Sequence, residues 1–402
     1  MKVFIAGIDG YLGWSLAQYL TARGHSVAGT DKFQRRAWVE EMSSVSAMPI
    51  NGIAERLTAF REHYGKDLVF REGDLLDYDF LKGFLAEFQP DAIVHLAEMP
   101  SAPYSMIDQA HAAYTHNNNV IGSLNVLWAM REVCPDAHLV KLGTMGEYGT
   151  PNVDIPEGFF EIEYRGRTDR LPFPRQPGSY YHLTKVHDTN NTMFACRIWG
   201  LRSTDIMQGV VFGTRIDEMG DDPRLSTRLD FDQCFGTAVN RFCCQAVIGH
   251  PLTLYGRGGQ TRGFLPLRDS MQCLTIAIEN PPKPGEYRVF NQFEECYTVE
   301  GLAHKVREAG QAIGLPVEIL HYDNPRKEME THYYNPDRKH LIDLGYKPTH
   351  DVVAEMKIML SDLLPHKERI LEKKAILVPD IRWDGTRRRS QVIQENVEAV
   401  KS

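Results

Sequence analysis

The sequence lacks the cysteine pattern that would predict a disulfide framework or a zinc site. Seven cysteines occur in 402 residues, none of them forms a Cys-x-x-Cys pair, and Cys243 and Cys244 are adjacent. Cysteines used in this way are typical of reduced core residues in a cytoplasmic protein. We therefore expect a cytoplasmic chain without a metal site.

The sequence also lacks an excess of positive charge and any long apolar run. The formal net charge is −8, which argues against nucleic-acid binding because phosphates require a basic face. No run of about 18 apolar residues is present, so we expect no membrane-spanning segment. A predicted strand starts with the first residues, and we expect no targeting segment ahead of it. The length and the 43% hydrophobic content predict a soluble protein with two lobes around one cleft.

A glycine-rich turn directly follows the first predicted strand. Gly7, Gly10 and Gly13 have the spacing Gly-x-x-Gly-x-x-Gly and lead into a helix predicted from about residue 11 to 23. Glycines at these positions allow a tight turn and a close approach of backbone N–H groups to a pyrophosphate. We therefore predict a dinucleotide site, whose further contacts at the turn are Asp9, Tyr11 and Leu12.

Acidic residues follow the next two predicted strands. Asp31 ends the second strand, where a carboxylate suits the two ribose hydroxyls and repels a 2′-phosphate. This favours NAD over NADP, although Arg35 and Arg36 weaken the preference and could instead close over the adenosine. Asp74 follows the third strand, where it could accept a hydrogen bond from the adenine amino group.

Strands and helices alternate over the first half of the chain, which predicts an α/β fold with a Rossmann-type doubly wound parallel sheet. We expect this NAD-binding domain over residues 1–208, with later segments at about 236–278 returning to it. A smaller nucleotide-sugar-binding lobe is predicted over 209–365, and a charged surface arm over 366–402.

Tyr181 and Lys185 are four residues apart on a predicted helix and therefore lie on one face. A fixed ammonium about 4 Å from the phenol could make the tyrosine a base near neutral pH. Tyr78 and Lys82 have the same spacing, but only Tyr181 has a hydroxyl partner, Thr144, at the carboxyl end of a predicted strand. We predict that the pair at 181 and 185 is catalytic and that the pair at 78 and 82 is not.

Taken together, these residues resemble the extended short-chain dehydrogenase/reductase superfamily, and the second lobe resembles its nucleotide-sugar branch. Within that branch, the segments 101–108, 142–151, 181–188, 240–243, 255–263 and 332–335 are similar to the UDP-sulfoquinovose synthase family. Members of that family oxidise C4 of UDP-glucose with NAD, eliminate water across C5–C6, add sulfite at C6 and reduce C4 again. The resemblance implies the catalytic set Thr144, Tyr181 and Lys185.

Nucleotide-sugar 4,6-dehydratases place an Asp and a Glu directly after the catalytic threonine, where this chain has Met145 and Gly146. His182 is therefore the nearest candidate for moving the additional proton, although it could equally be a structural histidine. The further predicted cofactor contacts are Leu75, Leu96, Ala97, Glu98, Asn119, Lys185 and Gln208. The predicted substrate contacts are Ser101, Tyr104, Met145, Gly146, Glu147, Gln208, Gln260, Thr261 and the candidate diphosphate clamps Arg241, Arg262 and Arg326.

The chain departs from the family pattern at one position. The pattern has an arginine immediately before Ser-Ala-Pro-Tyr-Ser, and this chain has Pro100 there. An NAD-dependent epimerase or dehydratase acting on a different nucleotide sugar is therefore an alternative, and a non-catalytic dinucleotide-binding protein is a third. Apolar faces on the predicted helices 111–132 and 181–199 suggest a homodimer.

Overall fold

The computed structural model describes residues 1–349 and 351–393. Its strands are β1 (Lys2–Ala6), β2 (Ser26–Asp31), β3 (Val69–Glu72), β4 (Ala92–His95), β5 (His138–Thr144), β6 (Phe159–Tyr164), β7 (Arg167–Pro172), β8 (Arg202–Gln208), β9 (Val210–Phe212), β10 (Leu252–Tyr255), β11 (Thr261–Pro266), β12 (Tyr287–Gln292), β13 (Glu295–Thr298) and β14 (Ile319–Tyr322). Its helices are α1 (Tyr11–Ala22), α2 (Gln34–Glu41), α3 (Ile53–Tyr64), α4 (Tyr78–Phe88), α5 (Ala102–Ser105), α6 (Gln109–His116), α7 (Gly122–Val133), α8 (Tyr180–Trp199), α9 (Ala238–Val247), α10 (Leu267–Glu279), α11 (Val299–Ala312), α12 (Lys339–Asp343), α13 (Val352–Leu363) and α14 (Lys367–Leu371).

The central element is a seven-stranded parallel sheet in the order β3-β2-β1-β4-β5-β8-β12. All strands are parallel, but the order in which the chain adds them changes side at β1: β2 and β3 follow on one side, and β4, β5, β8 and β12 on the other. In open α/β sheets, ligands bind outside the carboxyl ends of the strands at such a point, here between β1 and β4. Residues 3–6 of β1 and the whole of β4 are buried, as expected for strands covered on both faces. The predicted Rossmann-type α/β fold is confirmed.

Helix α8 begins and ends at residues suited to those positions. The Ser179 hydroxyl caps its start by accepting a hydrogen bond from the backbone N–H of His182 (3.3 Å). Gly200 follows its end with φ of 72°, a left-handed conformation that a glycine adopts without strain. The Tyr181–Lys185 pair therefore lies in the first turns of a 20-residue helix, as the sequence predicted.

A π-helical turn, Asn117–Ile121, separates α6 from α7 within the predicted helix 111–132. The turn carries the three consecutive asparagines, and Asn119 is fully buried. Its side chain accepts a hydrogen bond from Met99 N (2.8 Å) and donates to Thr184 Oγ1 (3.0 Å). Asn119 thus ties the loop after β4 to α8, and it is not among the residues that line the cavity described below.

The second lobe has its own core, formed mainly by α9, α11, α13 and β10. Two small sheets, β13-β11-β9 and β10-β14, lie beside it. The chain returns to the first lobe at α10, which packs into the core of the central sheet, and at β12, which forms the last strand of that sheet.

The sequence predicted that residues 366–402 form a surface arm, but part of this segment is buried. Ile370 and Leu377 are buried in the core of the second lobe, and Ile381 is buried against residues of both lobes. Apolar side chains among the charged ones explain this difference from the prediction. Residues 394–402 of the predicted arm lie outside the described residues.

All seven cysteines are free and six are buried, Cys296 being the exposed one. Those six therefore lie in the interior, as expected for core residues. Within residues 1–349 and 351–393, no helix is both long enough and apolar enough to cross a bilayer.

Candidate active site

A cavity of about 650 Å³ runs along the carboxyl ends of β1, β2, β4 and β5 and continues between the two lobes. This volume is within the usual range for ligand pockets. The residues lining it include the glycine turn, the end of β5, the first turns of α8 and several second-lobe side chains. The cavity therefore joins the predicted cofactor site to the predicted substrate site.

The glycine turn is packed too tightly for any other residue. A Cβ atom on Gly7, where φ is +85°, would lie 2.8 Å from the backbone nitrogen of Ala97. A Cβ atom on Gly13 would lie 2.2 Å from the carbonyl oxygen of Gly7. Gly7, Gly10, Gly13, Tyr11 and Leu12 all line the cavity at the N-terminus of α1. This arrangement fits the pyrophosphate of a dinucleotide, because the backbone is accessible and the helix dipole favours an anion.

Asp31 lines the cavity with a largely buried carboxylate. Its oxygens accept hydrogen bonds from the backbone N–H groups of Asp9 (2.9 Å) and Phe33 (2.7 Å). Lone pairs remain for two further donors, as binding of a ribose diol requires. Burial, together with the nearby charge of Asp9, raises the pKa of Asp31 to about 6.

Asp9 and Arg36, which were predicted as cofactor contacts, do not line the cavity. The buried carboxylate of Asp9 accepts hydrogen bonds from Arg36 Nε (2.8 Å) and from Arg56, whose guanidinium lies 3.9 Å from the centroid of the Trp14 ring. Both side chains thus support the turn from behind. The lining does not support their prediction as cofactor contacts, and the long-range partner Arg56 was not visible in the sequence pattern.

The remaining residues at the adenosine end mostly lie where they were predicted. Asp74 lines the cavity and pairs with Lys32 Nζ (2.9 Å), which also contacts Asn118 Oδ1 (3.0 Å). Arg35 lines it too and pairs with Asp230 (2.8 Å). Leu75, Leu96 and Ala97 form apolar parts of the same wall.

The four predicted catalytic residues all line the cavity, and they are Thr144, Tyr181, His182 and Lys185. The Lys185 ammonium donates to the carbonyl oxygen of Leu142 (2.6 Å) and forms an ion pair with Glu98. It lies 6.0 Å from the centroid of the Tyr181 ring. Glu98 also lines the cavity, as predicted, but its carboxylate holds the lysine.

The sequence predicted that Lys185 lowers the pKa of Tyr181 to make it a base, but in the structure the net pKa of Tyr181 is raised above its usual value. Burial raises the pKa of Tyr181, and the charges of Glu98 and Glu147 raise it further. Lys141 and a hydrogen bond with the Thr144 side chain lower it, but by less. The difference arises because Glu98 neutralises the ammonium that was expected to act alone.

Glu147, which was predicted as a substrate contact, does not line the cavity. It is fully buried behind Thr144, where its carboxylate accepts hydrogen bonds from Thr144 N (3.3 Å) and Thr189 Oγ1 (3.0 Å). Lys141 lies 3.9 Å away and also pairs with Asp205 (3.2 Å). This buried network holds the end of β5 in place, and it completes a capping box around the turn that starts at Thr144.

His182 faces the cavity as a neutral imidazole. Its Nδ1 lies 3.0 Å from the Ser179 hydroxyl, and its ring packs so closely on Gly146 that a Cβ there would lie 2.4 Å from it. Burial, followed by the charges of Arg262 and Arg326, lowers the pKa of His182 to about 3. A neutral imidazole in contact with the cavity can accept a proton at physiological pH.

Five of the predicted substrate contacts line the cavity, and they are Met145, Gly146, Gln208, Arg262 and Arg326. Gln208 donates to Gln292 Oε1 (2.9 Å). Arg262 pairs with Glu328 (2.9 Å) and contacts His332 Nε2 (2.9 Å).

Five further predicted substrate contacts lie outside the cavity lining, and other partners bind some of their polar groups. The Ser101 hydroxyl donates to Cys234 O (2.6 Å), and the Tyr104 hydroxyl donates to Glu41 (2.8 Å). Arg241 is buried and donates to Thr253 O (3.3 Å). Gln260 donates to Tyr255 O (3.5 Å), and the backbone N–H of Thr261 donates to His332 Nε2 (3.3 Å). The cavity lining therefore does not support these five predicted contacts.

Several cavity residues were not among the predicted contacts, and they include Lys32, Trp38, Asn118, Phe235, Asn240, Lys327, Tyr334 and Trp383. Lys32 and Trp38 stand beside predicted residues and could have been included on that ground. The second-lobe residues carry no local signal, because only the fold brings them to the cavity. The pair at 78 and 82 is absent from the lining, and Lys82 pairs with Glu132 (2.5 Å).

No group of three or more His, Cys, Asp or Glu side chains is arranged to hold a metal ion in the part of the chain that the structure describes.

Comparisons with known proteins agree with this geometry. UDP-sulfoquinovose synthase from Sulfolobus acidocaldarius is 50% identical over 384 residues, which cover 95% of this chain and 98% of that protein. The chloroplastic UDP-sulfoquinovose synthase of Spinacia oleracea is 47% identical over 382 residues, covering 95% and 79%. The fold matches a UDP-glucose 4-epimerase from Bifidobacterium longum solved with NAD⁺ and UDP, with a TM-score of 0.68, 15% identity and coverage of 91% and 100%. The family model described as "NAD dependent epimerase/dehydratase family" matches residues 3–291, and the chain belongs to this family of NAD-dependent enzymes.

Proposed function

We propose that the protein is a UDP-sulfoquinovose synthase, which converts UDP-glucose and sulfite into UDP-sulfoquinovose. The observation that carries the proposal is the position of His182. It faces the same cavity as Tyr181 and packs on Gly146, one of the two positions where 4,6-dehydratases carry acidic residues. The high identity to two UDP-sulfoquinovose synthases supports the same conclusion.

In the proposed first step, the phenolate form of Tyr181 accepts the proton of the C4 hydroxyl while the Thr144 hydroxyl donates a hydrogen bond to the same oxygen. The glycine turn and Asp31 would hold NAD, which would supply reversible hydride transfer at C4. The resulting ketone acidifies the C5 hydrogen, which explains why oxidation has to come first. The buried ion pair between Lys185 and Glu98 fixes the part of the cavity wall next to Tyr181.

In the proposed second step, His182 takes the proton from C5 and gives it to the departing C6 hydroxyl, which leaves as water. The sulfur of sulfite, which arrives as hydrogen sulfite, then forms a bond to C6, and His182, neutral again after protonating the departing hydroxyl, passes the proton of hydrogen sulfite to C5. A histidine that is neutral before the reaction suits this sequence, because it must accept a proton first.

Sulfite is an anion and requires positive charge near C6. Pro100 lines the cavity without supplying any, but Arg262, Arg326 and Lys327 also line it. The charges of Arg262 and Arg326 act on the His182 ring strongly enough to lower its pKa. Arg262 is therefore the cation that compensates for the absence of the arginine that the family pattern has before Ser101.

We also propose that the enzyme is a cytoplasmic homodimer. Large apolar side chains are exposed along the π-helical turn, α7 and α8, and they are Ile121 (42%), Trp128 (37%), Phe194 (48%) and Ile198 (56%). Trp128 and Trp199 pack with ring centroids 4.7 Å apart on the same surface. Pairing this surface with a second copy would remove it from water.

The test is incubation of the purified enzyme with UDP-glucose and sulfite, followed by mass analysis of the nucleotide sugar. We expect a product in which a sulfonate replaces the C6 hydroxyl, and no such product when sulfite is omitted. An unchanged mass with inverted C4, or loss of one water without uptake of sulfite, would assign the enzyme to the epimerase or dehydratase alternative.

A further inference from the structure

A segment near the C-terminus, residues 380–391, contributes Trp383 to the cavity wall and is called the strap below. One end is held by Gln233, whose side chain accepts from Asp380 N (2.9 Å) and Ile381 N (3.0 Å) and donates to Asp380 Oδ1 (2.6 Å). The other end is held by Asp323, which pairs with Arg388 (2.8 Å) and whose N–H donates to Gln391 O (2.9 Å). The strap is thus fixed at both ends to the second lobe.

The strap also reaches the first lobe. Ile381 is 3% exposed and lies in an apolar cluster with Trp38, Met99, Tyr104, Cys234 and Phe235. Two residues further along, Trp383 is part of the cavity wall, as are Arg262 and Arg326. The backbone N–H of Trp383 donates to Pro325 O (3.0 Å), which fixes the indole beside Arg326.

Arg326 differs from Arg262 in how its charge is held. Arg262 pairs with Glu328, whereas Arg326 has no ion pair with any carboxylate in the described residues. Its guanidinium lies between two aromatic rings, 5.5 Å from the centroid of Trp383 and 5.8 Å from that of Tyr255. Aromatic faces attract a cation without neutralising it, so the full charge of Arg326 remains available to an anionic ligand.

We propose that Trp383 is a positioning residue for the nucleotide, holding the Arg326 guanidinium toward the cavity so that it binds the diphosphate of the nucleotide sugar. An arginine side chain loses considerable rotational freedom when it binds a phosphate. The two rings confine it beforehand, and less entropy is lost on binding. The inference rests on the proposed function only in taking a nucleoside diphosphate sugar as the substrate.

The experiment compares UDP and uridine binding to the full-length, NAD-containing enzyme by calorimetry. Trp383→Ala should weaken UDP binding about 10-fold and leave uridine binding unchanged, because uridine has no phosphates. Trp383→Phe should recover part of the loss, since it keeps an aromatic face. Arg389→Ala is the matched control, because Arg389 is exposed on the same strap and is absent from the cavity lining, and it should bind UDP as the wild type does.

The double variant identifies the route by which Trp383 acts. If the indole acts through Arg326, then Trp383→Ala should have little further effect on UDP binding in an Arg326→Ala background. Additive losses, an equal loss for uridine, or unchanged UDP binding in either single variant would overturn the proposal. UDP binding that follows the expected pattern in an enzyme that forms no sulfonated product would support this role while refuting the proposed reaction.

Discussion

Glu98 and Lys185 form a buried ion pair directly beneath the candidate catalytic tyrosine, with side chains only 2% and 4% exposed. His95 lies 3.4 Å from the same carboxylate. Burial acts to raise the pKa of Glu98, but the positive charges around it, led by Lys185, together outweigh burial and hold that pKa below its usual value. A lysine that is neutralised in this way cannot by itself make Tyr181 a base, so the balance between the two charges sets the reactivity of the phenol.

The first prediction tests this balance. Glu98→Gln removes a negative charge that raises the pKa of Tyr181, so the pKa should fall and the acid limb of the pH–rate profile should move to lower pH. Lys185→Ala leaves Glu98 unpaired and should move the same limb to higher pH, besides slowing the reaction. The measurement is the rate of NAD reduction by UDP-glucose between pH 5 and 9.

Glu132→Gln is the matched control for the charge change. Glu132 pairs with Lys82 on the surface, beside the non-catalytic Tyr78, so its replacement should leave the profile unchanged. Shifts of the same sign in the Glu98 and Lys185 variants would contradict the proposed opposition of their charges.

The second prediction concerns the base itself. Tyr181→Phe removes the hydroxyl that accepts the C4 proton, and we expect NAD reduction by UDP-glucose to slow by about 10²- to 10⁴-fold. Binding of UDP-glucose should remain close to that of the wild type, because the ring stays in place. Stopped-flow absorbance at the NADH band and calorimetry measure the two effects. Tyr78→Phe, at the identical spacing on α4, should change neither.

The sequence predicted the parts of the site that depend on local pattern. The glycine turn, the threonine ending β5 and the Tyr181–Lys185 pair on α8 each follow from a few neighbouring residues, and all line the cavity. Strand alternation likewise predicted the sheet, because buried parallel strands have a strong apolar signal.

The predictions failed where a side chain is held by a partner distant in sequence. Glu98 lies 87 residues before Lys185, and Asp9 is paired with Arg56 47 residues later. Such pairs decide whether a polar group faces a ligand or the protein, and a sequence pattern does not contain them. Trp383 was missed for the same reason, since only the packing of Ile381 brings the strap to the cavity.

The third prediction concerns the pH dependence of cofactor binding. Asp31 is charged above its pKa of about 6 and protonated below it. A ribose diol donates hydrogen bonds to the charged form, so NAD binding to the cofactor-free enzyme should weaken as the pH falls from 7 to 5. The preference for NAD over NADP should narrow over the same range, because the repulsion of the 2′-phosphate is lost.

Asp31→Asn is neutral at every pH in this range, and its NAD affinity should vary little between pH 5 and 7. Its preference for NAD should also be small. Equal or tighter binding of NADP by the wild-type enzyme at pH 7.5 would contradict the role given to Asp31.

The last prediction separates the two proton-transfer steps. His182→Asn keeps a polar group near the cavity but removes the imidazole base, so reduction of NAD by UDP-glucose should continue while loss of water stops. In D₂O the wild type should incorporate deuterium at C5, and the variant should do so at least about 10²-fold more slowly. Because the pKa of His182 is about 3, the wild-type exchange should not decline between pH 8 and 5 through protonation of this histidine.

Ser179→Ala provides the control for position, because it removes the hydroxyl that lies 3.0 Å from His182 Nδ1 and leaves the imidazole in place. It should slow C5 exchange less than His182→Asn does, and NAD reduction should be retained in both variants. If His182→Asn exchanges C5 and forms the sulfonated product at the wild-type rate, the proton acceptor is a different group and His182 is a structural residue of α8. If it instead abolishes NAD reduction, the histidine acts in the oxidation together with Tyr181, and the division of labour between the two side chains is wrong.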